Sequence, residues 1–201
     1  MEYTMDNNHL LDKFFKNMES ISPLSKEAKE MAIPYLTIDT FRPNSPIIDA
    51  GDNVVDSYFV LSGIARYFYI NDKGKEYNKS FITDGDVLMS FSSFLMQMPS
   101  EYFIESLSEL VTIKISHKNL KNLTSNSLEW HQLYVSFLEK VLIQKIDRES
   151  DLLLLNAKQR YLKFLNNFKE IENLISNYHI ASYLGITDVR LSNIRRELHL
   201  T

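Results

Sequence analysis

The 201-residue chain contains no cysteine, and only five glycines and five prolines. The absence of cysteine excludes disulfide bonds, cysteine-held zinc and cysteine-ligated iron–sulfur clusters. No apolar run reaches the roughly eighteen residues of a membrane-spanning helix. The opening MEYTMDNNHLLDKFF lacks a basic segment followed by an apolar one, so no secretory signal is expected. The cytoplasm is therefore the expected location, without membrane contact.

The net charge of −4 is unevenly distributed along the chain. Residues 156–201 carry seven Lys and Arg against four Asp and Glu, whereas the preceding residues carry fifteen against twenty-two. A basic end on an acidic body is typical of a protein in which one small domain contacts phosphate groups. The charge pattern therefore favours a nucleic-acid contact near the C-terminal end.

Two short segments with helical apolar spacing flank Gly185 in the stretch ISNYHIASYLGITDVRLSNIRREL, residues 175–198. Ile180 and Leu184 lie one helical turn apart, and similar pairs follow the glycine. Gly185 can take the positive φ of a tight turn, and Thr187 is a good N-cap for a second helix. The pattern predicts a helix-turn-helix that binds double-stranded DNA. An ordinary helical hairpin inside a core is the alternative.

The second helix, from about Asp188 to Leu198, is expected to lie in the major groove. Arg190 is suited to reading guanine, Asn193 adenine and Val189 a thymine methyl group. Two candidates have an alternative role, since Arg195 can pair within the fold and Asp188 can simply favour the helix N-terminus. The candidate DNA-binding residues are Thr187, Asp188, Val189, Arg190, Ser192, Asn193, Arg195 and Arg196.

The upstream sequence predicts an α+β fold. Short helices are expected between residues 10 and 35, followed by alternating aromatic and β-branched residues with turn residues between them. This alternation predicts an antiparallel, jelly-roll-like β-roll with a helical insert near 92–98. The expected strands are 58–61, 64–70, 77–82, 102–107 and 110–115.

Residues 127–153 contain no Gly or Pro and predict one long helix with a broad apolar stripe. Its spare apolar surface indicates a homodimer, with a single long core helix as the alternative. Asn156 and Gln159 form a capping-box pattern that opens the next helix. The expected domains are therefore 1–125 for the roll with its N-terminal helices, 126–154 for the dimerisation helix and 155–201 for the DNA-binding domain.

This order of elements resembles the Crp/Fnr family of bacterial transcription regulators. The resemblance rests on AGD at 50–52, YFVLSGIARYFY at 58–69, DGD at 84–86 and the helix-turn-helix. It implies a cyclic-nucleotide-binding-like roll, a dimer on an inverted-repeat operator and a contact with RNA polymerase. Many relatives carry a β-hairpin wing after the recognition helix. Three residues follow Leu198 here, so a full wing is not expected.

The chain departs from the family where cyclic nucleotides bind. Met89 and Ser90 occupy the places of the usual Gly-Glu pair, and the arginine region reads Pro99-Ser100-Glu101. Residues 85–113 contain no Lys or Arg, so a buried phosphate would lack its countercharge. Control by cyclic AMP in the usual way is therefore not expected. An unknown apolar or neutral effector remains an alternative, with candidate pocket residues Met89, Ser90, Phe91, Ser100 and Glu101.

Aromatic and methionine side chains of the insert have two interpretations. They line an effector pocket, or they simply fill the roll. The residues concerned are Phe91, Phe94, Leu95, Met96 and Met98.

No pattern in the sequence predicts an enzyme. Residues 36–116 contain no histidine, which argues against a metal-dependent cupin-like site, and no Ser/His/Asp set or phosphate-cradling glycine loop is evident. The five histidines have no spacing typical of haem sensing. No metal or cofactor is therefore expected. The competing hypothesis is an effector-binding or protein-interaction module that has lost DNA binding.

Overall fold

The computed structural model describes residues 4–199, which contain eight α-helices and eight β-strands. They form two compact units. The first comprises the residues up to Arg66 together with Phe81–Val141, and the second comprises Tyr67–Ser80 together with the residues from Leu142 onward. The α+β class is as the sequence predicts.

Helices α1 (Thr4–Glu19) and α2 (Lys26–Ala32) precede the strands, and a 3-10 turn follows at Ile33–Tyr35. The Ser25 hydroxyl caps α2 by accepting a hydrogen bond from the Ala28 N–H at 3.2 Å. Pro34 lies in the 3-10 turn, where the helix gives way to the first strand. The prediction of short helices before the roll is confirmed.

Two four-stranded sheets form the roll, in the orders β1-β8-β3-β6 and β2-β7-β4-β5. All five predicted strands are present, at shifted bounds. Three more were not predicted, because β1 breaks the alternation with two adjacent polar residues, β2 contains a proline and β6 has two residues. The strands are β1 (Thr37–Phe41), β2 (Pro46–Ile48), β3 (Asp56–Ser62), β4 (Ala65–Ile70), β5 (Glu76–Ile82), β6 (Val87–Leu88), β7 (Phe103–Ser106) and β8 (Leu110–Ser116).

Strand β8 departs from the simple alternation that its sequence predicts. Ile113 and Ile115 are buried, as expected, but Thr112 is also fully buried. The strand lies between β1 and β3, and the Thr112 hydroxyl donates a hydrogen bond to the Asp39 carbonyl at 3.0 Å. That bond compensates the hydroxyl for the loss of water. Both faces of this central strand are therefore partly covered.

Gly63 connects β3 to β4 with φ of +100°. A Cβ at this position would lie 2.2 Å from the Glu109 carbonyl oxygen, so no larger residue fits without a backbone shift.

The remaining helices are α3 (Phe91–Met96), α4 (His117–Asn126), α5 (Leu128–Leu154), α6 (Ala157–Phe168), α7 (Asn177–Leu184) and α8 (Asp188–Glu197). The long helix is confirmed within one residue at each end. Helix α4 was not predicted as a separate element. It ends at Ser127, where the backbone becomes extended with φ of −135° and ψ of 122°.

The core of the first unit packs the roll against α1, α2 and the start of α5. Trp130 and Leu133 of α5 are 2% and 4% exposed, and the Trp130 indole N–H donates to the Ala28 carbonyl at 2.9 Å. Burial of each large apolar side chain stabilises the fold by about 1.5–3 kcal/mol. The first turns of α5 are therefore committed to this core.

Candidate nucleic-acid interface

Helices α7 and α8 form the predicted helix-turn-helix. Helix α7 ends at Gly185, whose φ of 69° is the positive value that the turn requires. The Ile186 N–H donates to the Ala181 carbonyl at 3.0 Å and closes the turn. The Thr187 hydroxyl accepts a hydrogen bond from the Arg190 N–H at 3.2 Å and caps α8. The predicted roles of the glycine and the threonine cap are both confirmed.

Apolar side chains hold the two helices together. Ile180 and Leu184 of α7 are fully buried, as are Leu191 and Ile194 of α8. Ala181 is 1% exposed, which is consistent with a close approach of two helices at a small residue. With these side chains inward, the orientation of α8 is determined and its other face is turned outward.

The outward face carries most of the predicted DNA-binding residues. Val189 is 72% exposed. Asn193 and Arg195 are half-buried. The other candidates are exposed, namely Thr187, Asp188, Arg190, Ser192 and Arg196.

Two exposed arginines of α8 contact side chains of the same helix. Arg190 Nη1 lies 3.3 Å from Glu197 Oε1, and Lys158 approaches the other oxygen of Glu197 at 3.9 Å. The Arg196 guanidinium donates to the Asn193 side-chain oxygen. Exposed contacts of this kind contribute little to stability and exchange readily for a phosphate or a base edge.

Arg195 differs from the other candidates because its guanidinium is bound within the domain. Its Nε donates to the Tyr161 hydroxyl at 2.9 Å, its Nη1 donates to Asn177 Oδ1 at 2.5 Å, and its Nη2 pairs with Glu172. The side chains of Arg195 and Glu172 are 15% and 13% exposed. Of the two roles expected for Arg195, this geometry favours pairing within the fold.

The Tyr161 hydroxyl completes this network by donating to Glu172 Oε1 at 3.0 Å. Burial raises the pKa of Tyr161, despite the hydrogen bond from Arg195. The hydroxyl therefore remains a neutral donor at neutral pH. Together these groups tie α8 to α6 and to the 3-10 turn Glu172–Leu174.

Two further arginines hold the C-terminal end of α7. The Arg148 guanidinium donates to the Tyr183 carbonyl and lies 4.0 Å from the centroid of the Tyr183 ring. Arg160 Nε donates to the Leu184 carbonyl at 3.0 Å. Cationic donors suit the free carbonyls and the negative dipole end of a helix. Sequence reasoning missed both, because each pairs with a residue far along the chain.

The β4–β5 hairpin also contacts α7 within the second unit. The Asn78 N–H donates to the Ser182 hydroxyl at 2.9 Å, and the Asn78 side-chain amide donates to the His179 carbonyl at 2.8 Å. Ser182 in turn donates to the Glu76 carbonyl at 3.2 Å. Nothing in the local sequence signals these contacts either, since the partners lie about a hundred residues apart.

The predicted effector-pocket residues differ in exposure. Met89, Ser90 and Ser100 are buried, Phe91 is half-buried and Glu101 is exposed. Polar side chains of this segment form hydrogen bonds with one another. The Ser90 hydroxyl contacts those of Ser92 at 3.0 Å and Ser93 at 3.1 Å.

The Tyr102 hydroxyl extends this internal network. It donates to the Met89 carbonyl at 3.0 Å and accepts from the Phe91 N–H at 3.0 Å. The Ser100 hydroxyl donates to the Tyr102 carbonyl at 2.8 Å. The hydroxyls of this segment therefore hydrogen-bond within the segment itself.

Met89 does line a small apolar cavity of about 30 Å³, with Phe59 and Trp130 among the other lining residues. This volume accommodates about one water molecule, whereas ligand pockets usually enclose about 300–1,000 Å³. Ser90, Phe91, Ser100 and Glu101 do not line it.

The insert α3 fills the roll only in part. Phe94 is buried, but Leu95, Met96 and Met98 are 58%, 59% and 50% exposed. Neither interpretation from the sequence holds for Leu95 and Met96, because they lie on the outer face of a single short helix.

A buried cation exists in the roll outside the segment 85–113. Arg66 of β4 is 2% exposed, and its Nε lies 3.0 Å from Glu105 Oε1. Its charge is compensated by this carboxylate. Sequence reasoning missed Arg66, because this residue lies outside the segment 85–113 in which a cation was expected from the family resemblance.

Within residues 4–199, no group of three or more His, Cys, Asp or Glu side chains is placed to hold a metal ion. In the same range, each helix is too short or too polar to cross a membrane.

Comparison with known proteins places this geometry in context. Residues 38–127 match the cyclic nucleotide-binding domain family. The anaerobic regulatory protein of Aggregatibacter actinomycetemcomitans is 25% identical over 202 residues, covering 94% of this chain and 70% of that protein. The c-di-GMP-responsive global regulator CLP of Xanthomonas campestris has a TM-score of 0.69 at 16% identity, covering 88% of this chain and 92% of that one. A Eubacterium rectale structure described as a regulator of the Crp/Fnr family has a TM-score of 0.70 at 17% identity, covering 88% and 84%.

The fold is therefore that of a cyclic nucleotide-binding roll followed by a long helix and a helix-turn-helix. In sequence and fold the chain therefore resembles regulators of the Crp/Fnr type. The resemblance stated from the sequence is confirmed, and these relatives are described as regulators.

Proposed function

We propose that this protein is a sequence-specific DNA-binding transcription regulator that acts as a homodimer on an inverted-repeat operator, without control by cyclic AMP in the usual way. In functional terms, residues 1–125 form the sensor roll, 126–154 the dimerisation helix and 155–201 the DNA-binding domain. The cytoplasm is the proposed location.

The main support for this proposal is the outward face of α8. Val189 is 72% exposed between Asp188 and Arg190, whereas Leu191 and Ile194 are fully buried. In the major groove, an exposed apolar side chain can contact a thymine methyl group, and an adjacent arginine can bind a guanine. The first turn of α8 presents such a pair of side chains. The bound guanidinium of Arg195 supports the same view, because it makes the presentation of this face rigid.

A second copy of the chain is the proposed partner of α5. Beyond the residues packed in the core, the helix exposes apolar side chains at spacings of seven, four and seven: Val135, Leu142, Ile146 and Leu153, which are 39%, 60%, 57% and 75% exposed. This is the spacing of a coiled-coil seam, in which two helices bury such a stripe against each other. A monomer would leave the stripe in water.

Independence from cyclic AMP is supported by the charges of the roll. Ser90 lies where relatives place the carboxylate that holds the ribose, and it is fully buried among other hydroxyls. The buried cation of β4, Arg66, already pairs with Glu105 at 3.0 Å. A cyclic phosphate would therefore enter without a countercharge.

Selection of bound duplexes from a random DNA pool at near-physiological salt tests the proposal. The expected result is enrichment of an inverted repeat whose half-sites lie about one helical turn apart. Arg190→Ala serves as the matched variant and should enrich a repeat with one position relaxed. If no sequence is enriched, even after addition of cell extract to supply an effector, the protein is instead an interaction module.

A further inference from the structure

A cleft of about 600 Å³ lies on the first unit and shares no lining residue with the small cavity described above. Its size is within the usual range for a small-molecule site. The lining comes from the loop before β3, the end of α3 and the start of α4. Among the lining residues are Lys118 and Lys121, with no Asp or Glu.

The start of α4 offers several groups for an anion. Ser116 caps the helix by accepting from the Asn119 N–H at 3.2 Å, and the His117 N–H donates to the Val55 carbonyl at 2.7 Å. The Lys118 N–H between them has no hydrogen-bond partner among residues 4–199. Helix α4 has ten residues, so its N-terminus carries a developed positive dipole end.

His117 supplies a second and independent observation. It lines the cleft, is 8% exposed, and its Nε2 is shielded from water without a hydrogen-bond partner in the described part of the chain. Buried polar atoms in proteins are nearly always paired, so an unpaired one needs an explanation. A ligand that enters the cleft and displaces the side chains covering Nε2 would supply the missing partner.

The ring of His117 is held in one tautomer. Burial lowers the pKa of His117, although a hydrogen bond to the Asp56 backbone acts in the other direction. Because Nε2 has no partner, Nδ1 makes that bond, and Nε2 is left as the acceptor of a neutral ring. The missing partner is therefore a hydrogen-bond donor.

Lys118 and Lys121 are available to bind an anion. Neither Lys118 nor Lys121 forms an ion pair with any residue between 4 and 199, and Lys121 Nζ lies 5.1 Å from the centroid of the Phe94 ring. Val55 and Met98 are 66% and 50% exposed on the same lining. They would contact the apolar part of an organic molecule.

We propose that this cleft binds a small organic oxyanion that carries a hydroxyl group beside its anionic group. The oxyanion contacts the Lys118 N–H and the two ammonium groups, and the hydroxyl donates to His117 Nε2. A phosphate monoester of a polyol and an α-hydroxycarboxylate both have this chemistry. The site is separate from the DNA interface, so the proposal does not depend on DNA binding.

Titration of the full chain, without DNA, tests the site. The probes are glycerol 3-phosphate, lactate and acetate, and binding is followed by calorimetry and by the ring ¹⁵N resonances of His117. We expect saturable binding of glycerol 3-phosphate or lactate, a shift of the Nε2 resonance, and weaker binding of acetate, which lacks the hydroxyl. Tighter binding of glycerol 3-phosphate would indicate a phosphate ligand, and tighter binding of lactate a carboxylate ligand.

Variants locate the binding. The double substitution Lys118→Gln with Lys121→Gln should weaken the tighter probe about tenfold or more, since it removes two charge-assisted contacts from exposed positions. Lys26→Gln removes one charge from a lysine of α2 that is 84% exposed, and it should leave the affinity for the probe unchanged. His117→Phe should abolish the preference for lactate over acetate. Absence of saturation with all three probes, or unchanged binding in the double variant, would overturn the proposal.

Discussion

Glu197 holds Arg190, the arginine best placed to read a base, at 3.3 Å across two turns of α8. Both side chains are about half-exposed, at 46% and 48%, and Lys158 approaches the same carboxylate at 3.9 Å. In the absence of DNA, this carboxylate thus neutralises the cations nearest the recognition surface.

Glu197→Gln should therefore strengthen DNA binding. The substitution releases Arg190 and Lys158 and removes a negative charge from a surface that meets phosphates. We expect affinity to rise about two- to tenfold on specific and random duplexes alike. Fluorescence anisotropy measures it, with Glu170→Gln, an exposed residue of the same domain, as the charge-matched control. Unchanged affinity in Glu197→Gln would mean that the ion pair does not compete with DNA.

Arg190→Ala should cost about 1–3 kcal/mol at one preferred base and relax specificity there, because a bidentate contact to guanine is lost. Competition binding with duplexes substituted at each operator position measures this. An equal loss on every duplex would assign Arg190 to a phosphate instead.

Arg196→Ala should weaken binding to all sequences and reduce the slope of log K against log salt by about 1, as expected for one lost phosphate contact. Salt titrations on specific and random duplexes provide the measurement. An unaltered slope rejects the phosphate role.

Arg195→Ala should destabilise the DNA-binding domain rather than remove a DNA contact. It leaves Glu172 and the Tyr161 hydroxyl without their cationic partner in a half-buried network, at a cost of about 2–3 kcal/mol. Thermal unfolding followed by circular dichroism tests this, with Arg196→Ala as the control that should unfold like the parent. Equal stabilities for the two variants would show that the network contributes nothing.

Ile146→Glu should dissociate the dimer, because it places a charge in the middle of the exposed stripe of α5. Gln144→Glu adds the same charge on another face of the helix, also at an exposed position, and should leave the dimer intact. Sedimentation equilibrium distinguishes the two states. A parent protein that sediments as a monomer, or equal behaviour of both variants, contradicts the proposed dimer.

Local signals explain why so much of the fold was predictable. The turn glycine Gly185, the Thr187 cap and the Asn156–Gln159 capping box each depend on residues a few positions apart, and all three form as predicted. The apolar periodicity of α8 likewise determines which of its faces is buried. These features need no knowledge of the rest of the chain.

Long-range contacts explain what was missed. Arg148 and Arg160 cap α7 from other helices, and Asn78 reaches it from a strand about a hundred residues away. Whether Arg195 faces DNA or its own domain depends on Glu172, whose position the local pattern does not specify.

The central claim is sequence-specific recognition of DNA by α8. Its most direct measurement is the ratio of affinities for the selected inverted repeat and for a scrambled duplex of equal length, at near-physiological salt. The account predicts a ratio of at least about a thousandfold for the parent protein, with a marked reduction in Arg190→Ala. Equal affinity for the two duplexes would contradict it.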